Sequence, residues 1–307
     1  MTLSLVRTVT IGTRSSPLAL RQTREIATAL SGLNPGLECE EATFVTSGDV
    51  TLERPLAEIG GKGVFTAELE QALRAREIDL AVHSLKDLPV EAPEGIAIGA
   101  ICFRADPRDV LISPAWRRLA DLPAGARVGT SSTRRTAQLR ALRPDLDPRS
   151  IRGNVDTRLR KLRAGEYDAI ILAAAGLLRL GIGDAITAYL SLDEMLPAPG
   201  QGALAVQCRS NDSALLALLA LLDDAPLRDA VTAERAFLSA LGGGCSAPVA
   251  ANATAQSEET IRLIGSVIAP DGSRTIRTEG AAPRAEARVL GERLAREAIA
   301  AGAGAWL

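Results

Sequence analysis

The sequence of 307 residues is poor in aromatic side chains and has a single histidine. Phe, Trp and Tyr together make up 3% of it, which argues against a stacking platform for single-stranded nucleic acid, because such platforms use aromatic faces. The one histidine, His83, argues against a metal site built from several histidines. It also makes a Ser-His-Asp hydrolase depend on that residue alone. We therefore expect no bound metal.

Paired cysteines and long apolar runs are also missing. The four cysteines are Cys39, Cys102, Cys208 and Cys245. They form no CxxC pair, which favours reduced thiols in a cytosolic protein. The longest apolar runs, 169–178 and 214–222, are far shorter than the roughly 20 residues that span a bilayer. The N-terminus lacks the apolar core and cleavage site of a signal peptide, so we expect a cytoplasmic protein.

The formal net charge of −2 hides a strongly basic segment. Between Arg127 and Arg163 there are eleven basic and three acidic residues, and nearly all of the basic residues are arginines. This segment predicts a site for anions. One alternative is a nucleic-acid surface with steep salt dependence. The segment has no interleaved aromatics, however, and the isoelectric point of about 5.7 lies below the range expected of such domains.

Apolar strands alternate with amphipathic helices over the first two thirds of the chain, which predicts mostly parallel sheets with flanking helices. The predicted strands there are 8–12, 37–46, 78–83, 96–101, 127–129, 168–173 and 203–208. A cluster of proline and glycine at 196–202 predicts a crossing between domains. After the glycine run 242–244 the pattern changes to three strands and one long helix, which predicts a small α+β domain.

Two motifs at strand-to-helix junctions suit anion binding, because a helix N-terminus offers unpaired N–H groups and partial positive charge. The first is TRSSPLAL, where simple helix capping by Ser16 is the alternative. The second is GTSSTRR, where hydroxyl groups of the turn, including those of Ser131 and Ser132, precede two guanidinium forks. In the following RGNVDTRLRKLR, helical spacing lets only some basic side chains face inward, and Arg158 is the best candidate.

Two further motifs bear groups that suit catalysis. In HSLKDLP, Lys86 and Asp87 follow a strand, where they could bind a substrate carboxylate and transfer a proton. The alternative is a solvated surface ion pair, and His83 itself is better explained as a hydrogen-bonded core histidine. In LGGGCSAP, the three glycines before Cys245 favour a flexible loop in which the thiol can be approached closely, as a reactive group or an attachment point. The alternative is a buried structural cysteine.

Taken in order along the chain, these segments resemble the porphobilinogen deaminases. The resemblance rests on TRSSPLAL, VTSGD, GGKGVFTAELE, AVHSLKDLP, DPRDVLIS, GTSSTRR, RGNVDTRL, YDAIILAAAGLLRLG, LPAPGQGALAVQCR, TAERAFL and GGGCSAPV. It implies an α/β fold with two lobes like those of periplasmic binding proteins and a small α+β C-terminal domain. The implied domains are 1–102 with 203–222, then 106–199, then 225–307.

The resemblance also implies the activity: four porphobilinogen units joined head to tail, with loss of ammonia, into the linear tetrapyrrole hydroxymethylbilane, in the synthesis of haem and other porphyrins. Cys245 matches the thioether attachment site of a dipyrromethane cofactor, and Asp87 matches the catalytic carboxylate. The implied binders of cofactor or substrate carboxylates, in a cleft between the lobes, are Arg14, Ser16, Lys86, Thr130, Ser131, Ser132, Arg134, Arg135, Arg152, Arg158 and Arg179. Lys62 and Phe65 match a lid. The resemblance implies a monomer that binds neither nucleic acid, membrane nor metal.

The sequence departs from the family pattern at two acidic positions, Glu58 in the lid and Asp156 beside the anion site. The main alternative is a solute-binding protein of the same two-lobed architecture, which would bind an anion without chemistry. That alternative predicts no covalent group on Cys245 and gives no reason for a third domain.

Overall fold

The computed structural model describes residues 8–46, 66–243 and 247–307. Its strands are β1 (Thr8–Arg14), β2 (Glu38–Phe44), β3 (Leu80–Ser84), β4 (Ile96–Cys102), β5 (Asp109–Ile112), β6 (Arg127–Gly129), β7 (Asp147–Arg149), β8 (Ala169–Ala173), β9 (Ala188–Tyr189), β10 (Leu204–Arg209), β11 (Val249–Ala255), β12 (Thr260–Ile268) and β13 (Thr275–Pro283). Its α-helices are α1 (Pro17–Leu33), α2 (Ala67–Ala75), α3 (Thr133–Leu142), α4 (Val155–Arg163), α5 (Ala174–Arg179), α6 (Ser213–Ala220), α7 (Ala225–Ala240) and α8 (Ala287–Ala300). The predicted site residues Lys62, Phe65 and Cys245, and also Glu58, lie outside the described residues.

The chain divides into two compact units. The first unit contains the residues up to Arg104 together with Ala203–Arg228, and the second contains Ala105–Gly202 together with Asp229–Leu307. The second unit holds two separate sheets, each with its own apolar cluster. The three domain boundaries expected from the family resemblance stay a prediction.

The sheet of the first unit has the order β2-β1-β3-β10-β4. Strands β1, β2 and β3 are parallel, whereas β10 runs antiparallel to both of its neighbours. Val9 and Ile11 of β1 are fully buried and pack against Ile26 and Leu30 of α1. The helix begins where the sequence predicts, because Pro17 occupies its first turn and Ser16 caps it.

The first sheet of the second unit has the equivalent order, β7-β6-β8-β5-β9. Here β6, β7 and β8 are parallel and β5 runs antiparallel to β8 and β9. Successive side chains of β8 point to opposite faces of this sheet. Ile171 packs in the cluster that contains Leu139 of α3, and Ile170 packs in the cluster that contains Leu159 of α4. Strands β5, β7 and β9, which are two to four residues long, are not among the predicted strands.

The C-terminal part of the second unit is a meander, β11-β12-β13, covered by α7 and α8. Phe237 of α7 is fully buried, and a Cβ built on Gly265 of β12 would lie 2.5 Å from its ring. A glycine in mid-strand therefore lets helix and sheet approach closely. The predicted α/β fold with mostly parallel sheets and a small α+β C-terminal sheet is confirmed. Within the three described ranges, we find no helix that combines the length and apolar character of a membrane span.

Candidate active site

The parallel strands β1, β2 and β3 end at one edge of their sheet, which we call the first carboxyl edge. Arg14 is the last residue of β1, and Ser16 follows as the N-cap of α1. The Oγ of Ser16 accepts a hydrogen bond from the Ala19 N–H at 3.3 Å. The capping function predicted as the alternative for Ser16 is therefore confirmed, and its role towards a ligand stays a prediction.

Lys86 and Asp87 lie on a 3-10 turn, Leu85–Asp87, directly after β3 at this same edge. The turn is anchored on both sides, because Leu85 is fully buried and Leu88 is 3% exposed. The N–H of Leu85 also donates to the carbonyl of Ala203 at 3.0 Å. Lys86 and Asp87 are only partly buried, so the anchored turn presents an ammonium and a carboxylate side by side at the edge.

His83 lies on β3 two residues before this turn and is 6% exposed. Burial lowers its pKa to about 4; a hydrogen bond with Gln207 opposes this shift and the positive charge of Arg14 adds to it. The imidazole is thus neutral at neutral pH. The prediction of a core histidine is confirmed. Nearby, Nε2 of Gln22 donates to Oγ of Ser84 at 2.9 Å and ties α1 to the end of β3.

In the second unit, β6, β7 and β8 end together at what we call the second carboxyl edge. Each of these strands is followed by predicted site residues. Those residues are Thr130, Ser131, Ser132, Arg134 and Arg135 after β6, Arg152 and Arg158 after β7, and Arg179 after β8. The fold therefore gathers eight predicted residues from a span of fifty positions at one sheet edge.

The three hydroxyl groups after β6 organise the turn into α3. Oγ of Ser132 caps the helix by accepting from the Arg135 N–H at 3.4 Å, and Oγ1 of Thr130 accepts from the Ser132 N–H at 3.2 Å. Oγ of Ser131 donates to the Ile151 carbonyl at 2.7 Å and accepts from the Ile151 N–H at 3.1 Å. Ser131 thereby fixes the loop that carries the next residue, Arg152.

The loop before α4 depends on a glycine. Gly153 has φ +111°, and a Cβ there would lie 2.6 Å from the side chain of Thr157. Asn154 caps α4 by accepting from the Thr157 N–H at 2.9 Å, and Nε of Arg158 donates back to the Gly153 carbonyl at 2.8 Å. Asp156 is exposed in the first turn of this helix, where a negative charge stabilises the helix dipole. This placement explains an acidic residue beside cationic ones.

Arg134 and Arg135 have a buried partner that sequence reasoning missed, Asp109 at the start of β5. Oδ2 of Asp109 lies 2.8 Å from Nη1 of Arg134, and Oδ1 accepts from Nη2 of Arg135 at 2.7 Å. The exposed fractions are 4% for Arg134, 6% for Arg135 and 0% for Asp109. Burial by itself raises the pKa of Asp109, but the charges and hydrogen bonds of the two arginines outweigh it and hold that pKa well below its ordinary value. Their predicted role as ligand binders stays a prediction.

Part of the basic segment forms ion pairs within the second unit, so only some of its arginines remain for the predicted anion site. Arg127 pairs with Asp168 at 2.9 Å, at the amino ends of β6 and β8 and so away from the carboxyl edge. Arg143 and Arg149 each pair with an aspartate two residues away, at 2.6 Å. The eleven basic and three acidic residues of the segment give a local net charge of +8, and only part of that charge lies at the second carboxyl edge. The spacing of the arginines along the sequence does not distinguish those at the edge from those in structural ion pairs.

Comparison with known proteins identifies the family that this chain resembles. Residues 9–217 match the family model described as "Porphobilinogen deaminase, dipyromethane cofactor binding domain", and residues 229–300 match "Porphobilinogen deaminase, C-terminal domain". The chain is 52% identical to the porphobilinogen deaminase of Roseiflexus castenholzii over 97% of this chain and 98% of that one. It is 49% identical to the porphobilinogen deaminase of Brevibacillus brevis over 96% and 94%.

The chain is also similar to the solved structure of the periplasmic aliphatic sulphonate binding protein SsuA from Escherichia coli. That likeness has 13% identity and a TM-score of 0.41, over 76% of this chain and 70% of that one. The two family models together span both units and leave few described residues unmatched. On the family models and the two curated relatives, this chain belongs to the porphobilinogen deaminase family.

Proposed function

We propose that this chain is a porphobilinogen deaminase, also called hydroxymethylbilane synthase, acting in porphyrin and haem biosynthesis. It is a transferase that joins four porphobilinogen units head to tail, releases four ammonia molecules and yields hydroxymethylbilane. The observation that carries this proposal is family membership over nearly the whole chain, at about half identity to two curated porphobilinogen deaminases. The arrangement of charged groups at the two carboxyl edges supports it.

The matched family model is that of a dipyrromethane-binding domain, and the described residues fit such a group. Each pyrrole ring bears an acetate and a propionate, so the ligand is a polycarboxylate. Arg14 and Lys86 at the first edge, and Arg152, Arg158 and Arg179 at the second, are partly exposed cations suited to bind those carboxylates. The hydroxyl-lined turn before α3 adds backbone donors at a helix N-terminus.

Attachment of the dipyrromethane through a thioether to Cys245 is part of this proposal. When bound, the group supplies the pyrrole carbon from which the product chain starts. Cys245 lies in LGGGCSAP, ahead of β11 in the sequence, and the three glycines before it are the sequence feature that favours attachment at this thiol. Lys62 and Phe65 are proposed as lid residues that cover the growing chain.

Asp87 is proposed as the catalytic carboxylate. Loss of ammonia from porphobilinogen leaves a cationic ring, and a carboxylate beside the pyrrole nitrogen stabilises that charge. The same carboxylate assists removal of the proton from the ring carbon once the new carbon–carbon bond has formed. The buried side chains of Leu85 and Leu88 anchor the turn that carries the Asp87 carboxylate. We further propose, on the family resemblance, a cytoplasmic monomer that binds no nucleic acid.

The proposal is tested by turnover of porphobilinogen. The full chain is incubated with porphobilinogen, and substrate consumption and ammonia release are measured for the wild type and Asp87→Asn. Asp156→Asn is the matched control, because Asp156 is an exposed aspartate in the first turn of α4 at a carboxyl edge. We expect at least a ~100-fold loss of turnover in Asp87→Asn, the usual scale of acid–base catalysis, and near-normal turnover in the control. A wild type that binds porphobilinogen without consuming it contradicts the proposed function and favours a solute-binding protein.

A further inference from the structure

Asp109 is the centre of a buried polar cluster that the mechanism above does not use. It is fully buried at the first position of β5, opposite Ala173 at the carboxyl end of β8. Three groups surround its carboxylate: the guanidinium of Arg134, whose Nη1 lies 2.8 Å from Oδ2, the guanidinium of Arg135, whose Nη2 donates to Oδ1 at 2.7 Å, and Nε2 of Gln201, which donates to Oδ1 at 2.8 Å. A carboxylate removed from water needs such partners, and this one is held by two cations and an amide.

The two arginines extend this cluster to further segments of the second unit. Nη1 of Arg134 donates to the Leu196 carbonyl at 2.6 Å, ahead of the segment that contains Gln201. Nη1 of Arg135 donates to the Ile171 carbonyl of β8 at 3.1 Å. Consecutive residues of a helix point about 100° apart, yet both side chains converge on Asp109. The carboxylate is therefore the common point that fixes the first turn of α3 against β8 and the segment around Gln201.

Each segment joined by Asp109 leads to predicted ligand-binding residues. The first turn of α3 follows Ser131, which fixes the loop of Arg152 through its bonds to Ile151. Strand β8 continues into α5, which ends at Arg179, and Nη2 of Arg179 donates to the carbonyl of Gly202 at 2.9 Å. Gly202 directly follows Gln201, so the cluster fixes the relative positions of the hydroxyl turn, the Arg152 loop and the Arg179 helix.

We propose that Asp109 is a positioning residue for tetrapyrrole synthesis: its buried carboxylate sets the spacing of the carboxylate-binding groups at the second carboxyl edge. The proposal rests on the proposed function. Asp109 touches no reacting atom in this account and acts through Arg134, Arg135 and Gln201. Removing its negative charge leaves two buried guanidinium groups to repel each other, so the first turn of α3 shifts away from β8 and the binding groups lose their common spacing.

The test compares Asp109→Asn with Asp168→Asn in the full chain carrying its dipyrromethane. Asp168 is the matched control, because its carboxylate also pairs with an arginine, Arg127, in the same sheet but at the amino ends of the strands. Three quantities are measured: the thermal midpoint, KM and kcat for porphobilinogen, and the intact-mass distribution of chains carrying one to four added pyrrole units. Asp109→Glu, which retains the charge, is the second variant should Asp109→Asn not fold.

We expect Asp109→Asn to raise KM at least tenfold and to alter the distribution of added units, while Asp168→Asn keeps both within twofold of the wild type. Asp109→Glu restores part of the lost affinity. A purely structural role lowers the active fraction and hence kcat, with KM and the distribution unchanged, and that result overturns the proposal. Failure of both Asp109 variants to fold overturns it as well, by assigning Asp109 to the fold alone. A wild type without turnover contradicts the proposed function instead.

Discussion

The single histidine makes the pH dependence of stability a sharp test of the first unit. His83 is buried, and burial is the main cause that lowers its pKa from an ordinary value of 6.5 to about 4. A hydrogen bond with Gln207 raises the pKa, and the positive charge of Arg14 lowers it further. Between these two pH values the unfolded chain binds a proton at this residue and the folded chain does not. Stability therefore falls as the pH drops from 6.5 towards 4, and at neutral pH both states are neutral and the effect vanishes.

The size of this effect follows from the shift in pKa. One unit corresponds to about 1.4 kcal/mol, so the full loss is about 3 kcal/mol below pH 4 and about 2 kcal/mol already at pH 5. Carboxylates with ordinary pKa values remain mostly ionised at pH 5, so the interval from pH 7 to pH 5 isolates the histidine. His83→Gln removes the titrating group and retains an amide that can bond to Gln207.

The measurement is urea denaturation of the wild type and His83→Gln at pH 7 and pH 5. Hydrogen exchange in peptides covering β3 and β10 assigns the change to the first unit, because His83 lies on β3 and Gln207 on β10. We expect the wild type to lose about 2 kcal/mol more than the variant between the two pH values. Equal losses in the two proteins refute the reasoning, since they mean that the folded chain protonates His83 as readily as the unfolded chain does.

Two further predictions concern buried side chains that hold segments of the backbone in place. Leu85→Ala removes the buried anchor of the turn that carries Lys86 and Asp87, so we expect a loss of about 2–5 kcal/mol in stability and slower turnover. The control Leu33→Ala, at an exposed leucine of α1, should change neither, and equal effects of the two variants contradict the anchoring role. Glu234 is fully buried and accepts from the N–H groups of Gly200 at 2.6 Å and Ala253 at 2.7 Å. Glu234→Gln should cost about 2–3 kcal/mol and speed amide exchange at both positions, whereas Glu194→Gln, at an exposed residue, should not; unchanged exchange in Glu234→Gln argues against the contact.

Local sequence patterns were sufficient for the elements that carry the first carboxyl edge. Strand β1 is marked by its alternating buried Val9 and Ile11, and α1 by Ser16 and Pro17 at its start. The turn of Lys86 and Asp87 was placed correctly after a buried strand, since ligand-binding groups of open α/β sheets follow the carboxyl ends of strands. In these cases the information lies within a few neighbouring residues.

The sequence did not reveal Asp109 or the true environment of Arg134 and Arg135. Strand β5 follows an aspartate, a proline and an arginine, itself begins with an aspartate and is only four residues long, so its apolar pattern is too short to be recognised. The pairing of Asp109 with arginines 25 and 26 positions later depends on how β5, α3 and β8 pack together. From the local sequence, the two adjacent arginines are predicted to offer their guanidinium groups to a ligand. Only the tertiary fold shows that they share one buried carboxylate.

Intact-protein mass shows whether this chain builds its product on a dipyrromethane bound through Cys245. The wild type should carry a covalent increment of the size of a dipyrromethane. The increment should persist in Cys39→Ala, a matched variant at a half-buried free cysteine, and vanish in Cys245→Ala together with turnover. An active wild-type chain with an unmodified mass, or an increment that survives in Cys245→Ala, contradicts the account.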